Sequence, residues 1–339
     1  MKSAEVVSKP LVTMIILSYN QEKFIADAID GAVSQNYENL EIIICDDCSN
    51  DKTLEIIKEK CSHYCGPHSV SFFETKKNGG VVKNFNFALE KSNGELLIAT
   101  AGDDISYSNR ASKAVEYYLK YGFSAFYSFA NVINETGEKI DEWEMEIDKP
   151  FYPSLDSGER FEHLPFYGAG AVYNRKLFLR FGFIPDSIRN EDYNFFVRSL
   201  ISDGVAYCKE PLLSYRKHAN NLSYWVKIKK AQNIIVKARL KCLSLDNKLK
   251  NMIIAKDYIS TVYGDESVVY ESYDRLIYSC AFSCFLFSVI SLDFHNPYSR
   301  IHELNYVSAF KAAFGTSKKI FHKTIKSLFR RGNNIFMGR

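Results

Sequence analysis

Residues 95–105 read Glu95-Leu96-Leu97-Ile98-Ala99-Thr100-Ala101-Gly102-Asp103-Asp104-Ile105. The apolar run 96–99 suits a strand buried on both faces, and it stops at Gly102-Asp103-Asp104. Two carboxylates are thereby delivered to the end of a core strand. Side by side and partly buried they repel, so the site is costly unless a cation or strong donors neutralise it. Oxygen ligands of this kind suit Mg²⁺ or Mn²⁺, which bind through one or two carboxylates plus the phosphates of a substrate. The plain alternative is a solvated turn with an Asp cap for a helix beginning near Asn109, and the tripeptide alone leaves both open.

Upstream, strand and helix alternate. Residues 12–17 are a β-rich apolar run, and 21–35 carry Ile25, Ile29, Ala32 and Val33 at helical spacing. A second strand, 40–45, runs into Asp46-Asp47-Cys48-Ser49-Asn50-Asp51, and 53–60 reads as a short helix. Residues 70–73 are a third strand, Asn78-Gly79-Gly80 a turn, 82–91 a helix and 95–99 the fourth strand. This spacing predicts βαβ units and a mainly parallel sheet with helices on both faces. Ligands of such sheets bind beyond the carboxyl ends of the strands, where Ser18-Tyr19-Asn20, Asp46-Asp47 and Asp103-Asp104 are expected along one edge. No G-x-G-x-x-G follows the first strand and no P-loop is present, which argues against a dinucleotide oxidoreductase and leaves phosphate to metal and side chains.

Downstream, 108–121 reads as a helix, 124–129 as a strand and Asn134-Glu135-Thr136-Gly137 as a turn. Tyr167-Gly168-Ala169-Gly170-Ala171 suits either close backbone approach to a ligand or tight packing. Arg189-Asn190-Glu191-Asp192-Tyr193-Asn194 precedes a periodic helix over 195–201. Capping at a helix N-terminus explains one of the two acids, and the second leaves room for a general base. A strand over 212–215 leads to His218 amid Arg216, Lys217, Asn220, Asn221 and Ser223, company that favours a phosphate or metal contact over a structural histidine.

At 339 residues, 46% hydrophobic and 24% charged, the chain has room for one large domain and an appendage, divided here as 1–224 and 225–339. Its 25 Phe and 22 Tyr admit interfaces or sugar-stacking surfaces. The net charge of +3 hides an asymmetry: from Trp225 onward nineteen Lys and Arg face eight Asp and Glu, so that part carries +11 and residues 1–224 carry −8. Lys2 and Lys9 precede only a seven-residue apolar run, and 281–292 is too short for a bilayer, so a cytoplasmic location is expected. The eight cysteines then read as free thiols. Cys45-x2-Cys48 followed by Cys61-x3-Cys65 is taken as buried small hydrophobes rather than zinc ligands, because Cys45 ends an apolar strand.

The segments 12–20, 45–51, 78–86, 102–104, 191–192 and 215–223, in that order, resemble the motifs of family 2 inverting glycosyltransferases with the GT-A fold, over roughly residues 10–224. The resemblance implies an α/β GT-A domain followed by a C-terminal helical appendage. Ser18 and Tyr19, with Asn20, would line the nucleoside pocket, and Asp46 or Asp47 would accept from the base, often uracil. Asp103 would bind a Mn²⁺ or Mg²⁺ that bridges the diphosphate, with Asp104 supporting it or touching the donor sugar. Asp192 would be the general base, Glu191 would orient donor or acceptor, and His218 would reach the diphosphate or the metal. The chain departs from the pattern twice. Ala101 stands where the first Asp of Asp-x-Asp belongs, and Phe85 replaces a basic residue whose charge Lys83 is the candidate to supply.

On this resemblance the expected activity is transfer from a nucleotide-sugar, a UDP-sugar favoured, to a glycan or lipid-diphosphate-linked acceptor in surface polysaccharide or O-antigen-type synthesis. Basic amphipathic segments at 226–245 and 307–329 suit either an anionic membrane surface on the cytoplasmic side or packing on the catalytic domain. No nucleic-acid module accompanies the charge. Two other classes stay in view: a non-catalytic nucleotide-sugar or glycan binder, raised by Ala101, and a sugar nucleotidyltransferase. The latter needs a Gly-rich loop where Ser18-Tyr19-Asn20-Gln21-Glu22-Lys23 stands.

Overall fold

The computed structural model describes residues 9–143, 146–154, 164–186, 188 and 191–221, with 252, 254, 256–262 and 264 beyond them. The chain divides into two compact units, Met1–Asn221 and Leu222–Arg339. In the second, the described residues are a helical piece that buries Met252 and Ile259; the segments at 226–245, 281–292 and 307–329 lie outside the described residues. Among the described residues no helix is long and apolar enough to cross a membrane.

The first unit opens with the expected alternation: β1 (Val12–Ser18), α1 (Ile25–Val33), β2 (Leu40–Asp46), α2 (Thr53–His63), β3 (Ser69–Glu74), α3 (Val81–Lys91) and β4 (Leu96–Ala101). It continues with β5 (Ile105–Ser106), α4 (Arg110–Tyr121), β6 (Ala125–Ile133), β7 (Lys139–Trp143), β8 (Phe151–Tyr152), β9 (Ala171–Asn174), α5 (Lys176–Phe181), α6 (Asp192–Leu200) and β10 (Val205–Arg216). The ten strands form one mixed sheet in the order β3-β2-β1-β4-β9-β6-β10-β5, with β7 on β6 and β8 on β10. β1, β2, β3 and β4 run parallel, as do β6 and β10.

Burial explains why these runs became central strands. Val12, Met14, Ile16, Ile42, Ile44, Leu96 and Ile98 pack with Ile25, Ile29, Ala32, Ile57, Ala111 and Ala114 into one core. The alternate positions Ile15, Ile43 and Leu97 are also buried, so both faces are covered. A second apolar group joins Phe85, Tyr173, Phe178 and Phe195, with Phe85 5.3 Å from Phe195 and Tyr173 4.5 Å from it, centroid to centroid. Phe85 is thus a core ring, and a basic residue there would be buried without a partner.

The register puts the predicted strand ends side by side: Ser18 pairs with Asp46, and Leu17 with Ala101. Two features differ from expectation. β9 inserts antiparallel between β4 and β6, where only a small-residue stretch was visible. β10 begins at Val205 rather than near 212, because Lys209-Glu210-Pro211 interrupts its apolar pattern at a register shift without ending the strand.

Candidate functional site

Asp103 and Asp104 do not form a solvated capping turn. α4 begins with no side-chain cap bond, and both acids are buried. Asp103 Oδ2 lies 2.7 Å from His218 Nε2, and Asn220 N–H points at His218 Nδ1 (3.3 Å), which assigns the ring proton to Nε2 as donor to Asp103. Asp104 Oδ1 accepts from the backbone N–H of Arg216 at 2.9 Å, while its Oδ2 is buried with no protein partner. Burial, then the charge of Asp103, pushes the Asp104 carboxyl well above the carboxylate range. Among the described residues no three acidic, His or Cys side chains converge into a closed metal cage. An oxygen-rich pair with one orphaned buried oxygen fits a hard divalent cation that takes its remaining ligands from a diphosphate and water.

At the neighbouring strand ends, Ser18 Oγ donates to Asp46 Oδ1 at 2.9 Å, and Ser49 donates its hydroxyl to the same oxygen (2.6 Å) and its N–H to Oδ2 (2.8 Å). Asn20, at φ 51°, clips the two loops together: its N–H goes to Ser49 Oγ and its side-chain oxygen receives Asn50 N–H. Tyr19 is left 41% exposed beside them. Asp47 has a different task. Its two oxygens receive Thr75 Oγ1, Gly79 N–H on both, and Gly80 N–H, which fills its four acceptor positions. That separates the surroundings of the two adjacent acids. Asp47 holds the Gly79–Gly80 turn, where Gly80 at φ +82° starts α3, and Asp46 alone retains an acceptor position. Lys83 forms an ion pair with Asp186 at 3.1 Å, and both side chains are exposed.

Glu191 and Asp192 open α6. Asp192 Oδ1 accepts from the N–H of Tyr193 (2.9 Å), and Glu191 makes no capping bond. Burial, then the charge of Asp192, raises Glu191 to about 8; burial also raises Asp192. Both shifts run the same way, so the pair keeps a shared proton to a higher pH than an ordinary carboxyl would. Gly168 sits against the pair: a Cβ there would lie 3.4 Å from Glu191 Oε1 and 3.9 Å from Asp192 Cβ. At Gly170 the small side chain serves packing instead, since a Cβ would meet the Tyr167 ring at 2.5 Å.

Two arginines, absent from the sequence-based site, hold these pieces. Arg216 is 1% exposed; its Nε donates to Asp103 O (3.0 Å), its Nη1 to the carbonyls of Asn134 and Glu135, and its Nη2 to Asp27 Oδ2 (2.8 Å). Arg110, fully buried, reaches Ser106 Oγ (3.0 Å), Ala99 O (3.0 Å) and Ala169 O (2.7 Å), joining the end of β4 to the backbone beside Gly168. The only local signal was Arg216 two positions before His218, and Arg110 carried none. Arg216→Ala is expected to lower unfolding free energy by about 1–3 kcal/mol, measured by urea titration with an unchanged m-value, because it removes a buried side chain and leaves the carbonyl of the buried Asp103 without its donor.

The sequence model described as Glycosyl transferase family 2 matches residues 13–182. "Putative glycosyltransferase EpsE" of Bacillus subtilis (strain 168) is 34% identical over 114 residues, 34% of this chain and 40% of that protein. An "Uncharacterized glycosyltransferase" of Haemophilus influenzae is 27% identical over 223 residues, 63% of this chain and 68% of that one. The matches therefore span 40% and 68% of those relatives' lengths. Among solved structures, S. aureus TarS 1-349 in complex with UDP-GlcNAc aligns with TM-score 0.53 at 15% identity, covering 86% of this chain and 91% of that one. The mannosyltransferase PcManGT from Pyrobaculum calidifontis in complex with GDP-Man and Mn²⁺ aligns with TM-score 0.51, 92% and 89% covered. At such identity these two show a shared fold.

Proposed function

The chain belongs to glycosyl transferase family 2, and from that membership we propose that it moves a sugar from a nucleotide-sugar donor to a hydroxyl of a glycan acceptor, with inversion. The observation that carries this reading is the pair Asp103–Asp104, buried at the end of β4 beside His218 with one carboxylate oxygen unpartnered. Ser18, Tyr19, Asn20 and Asp46 form the nucleoside side of the site, a UDP-sugar being favoured. Asp103 holds the cation with Asp104 beside it. His218, bonded to Asp103, would contact either the diphosphate or the cation. A bound Mn²⁺ or Mg²⁺ supplies positive charge against the departing diphosphate. Lys83 stays available to phosphate, because an exposed ion pair such as Lys83–Asp186 is worth only about 0–1 kcal/mol.

Asp192 takes the proton of the attacking acceptor hydroxyl as the new glycosidic bond forms, and the protonated Glu191 beside it donates a hydrogen bond to a sugar oxygen. Residues 1–224 act as the catalytic domain. The basic remainder, at +11, binds an anionic membrane surface, which suits a lipid-diphosphate-linked acceptor and a role in surface polysaccharide synthesis. Calorimetry with UDP, GDP, TDP and CMP, each with and without Mn²⁺, tests the reading. One nucleotide is expected to bind in a metal-dependent way; binding by none of them refutes it.

A further inference from the structure

Trp143 ends β7, an edge strand hydrogen-bonded to β6, and its ring is half-buried. The indole packs on Tyr215, with centroids 4.2 Å apart at 30°, and meets the Tyr167 ring edge-on at 5.3 Å and 89°. Each of these partners adjoins one of the carboxylate pairs. Tyr215 precedes Arg216, whose backbone N–H holds Asp104. Tyr167 precedes Gly168, which lies against Glu191 and Asp192. An ion pair between Lys217 and Asp141, at 3.6 Å, ties the same strand to the segment that carries His218.

Three rings of a hydrophobic core would be closed off from water, as Tyr127 and Tyr173 are, whereas Trp143, Tyr167 and Tyr215 all remain partly exposed. An aromatic group with one packed face and one wet flank matches the alternating C–H and O–H surface of a sugar ring. A donor is already anchored through its diphosphate, but a neutral glycan has no charge to be held by and must draw its affinity from ring contacts and hydroxyl bonds. Contact with Tyr167, the residue before Gly168, links the indole to the segment that adjoins the proposed base.

We propose that Trp143, backed by Tyr215 and Tyr167, is the wall on which the acceptor's pyranose ring stacks. This rests on the glycosyltransferase reading, and its test separates the two. Full-length wild type, Trp143→Ala and Trp143→Phe are assayed with UDP- and GDP-sugars for slow donor hydrolysis by water. Transfer is then measured to methyl glycosides of glucose, galactose, mannose and N-acetylglucosamine. Trp143→Ala is expected to raise the KM for the glycoside about tenfold or more, with donor KM and hydrolysis within about twofold of wild type, and Trp143→Phe to recover most of the loss. An unchanged acceptor KM, or a rise confined to the donor KM, overturns the proposal. Wild type that neither hydrolyses nor transfers from any donor overturns the glycosyltransferase reading itself.

Discussion

Asp192→Asn is expected to lower the turnover number for sugar transfer by about 10²- to 10⁴-fold while nucleotide affinity stays within a few-fold of wild type. The substitution keeps the size of the side chain and the bond from Tyr193 N–H, so α6 still starts at the same place. It removes the negative charge that adds to burial in raising Glu191 and, with it, the capacity to take a proton. Single-turnover kinetics beside calorimetric nucleotide binding makes the distinction, and full turnover in Asp192→Asn would move the base to Glu191. The pair also predicts a pH profile. The rate constant kcat/KM should rise as Asp192 ionises, at a pH displaced upward by burial, and fall as Glu191 loses its proton near pH 8. Glu191→Gln, which mimics the neutral acid, should remove the alkaline fall. Stability follows the same groups with its own sign. A carboxyl raised in the folded state stabilises fully below its unfolded value, and that contribution is lost as pH climbs toward about 8, so Glu191→Gln should flatten the decline.

Asp103→Ala is the second large effect expected. Metal-dependent nucleotide binding should weaken by at least about 100-fold, since a ligand itself is lost rather than a group supporting one. The fold should tolerate the change, because Arg216 contacts the Asp103 carbonyl and the Asp104 carboxylate, neither of which is removed. Persistence of Mn²⁺-dependent binding in Asp103→Ala, measured by calorimetry against wild type, would take the cation away from the end of β4.

The N-terminal half of the sheet was legible in the sequence for a simple reason. A strand covered on both faces needs an unbroken apolar run, and 12–17, 40–45 and 96–99 are such runs, each stopping where polar residues begin. Parallel pairing then lined up Ser18, Asp46 and Ala101 without further information. β9 escaped because four residues are too few to show a period, and its place between β4 and β6 depends on partners far away in the chain. The acids themselves were visible as residue types at strand and helix ends, but their tasks were not. Asp46 and Asp47 are adjacent in sequence, yet one faces Ser18 and Ser49 while the other is filled by Thr75, Gly79 and Gly80.

Local periodicity thus determined the strands and helices from β1 to β4, and where the chain places its carboxylates, because burial on a regular element is a short-range pattern. Tertiary structure alone decided that His218 meets Asp103 from 115 positions away, that Arg216 and Arg110 lock the loops, and that Trp143 packs on both Tyr167 and Tyr215. Hydrogen-bond and ring partners are chosen by distance in space, and a linear pattern of residue types carries no record of that distance.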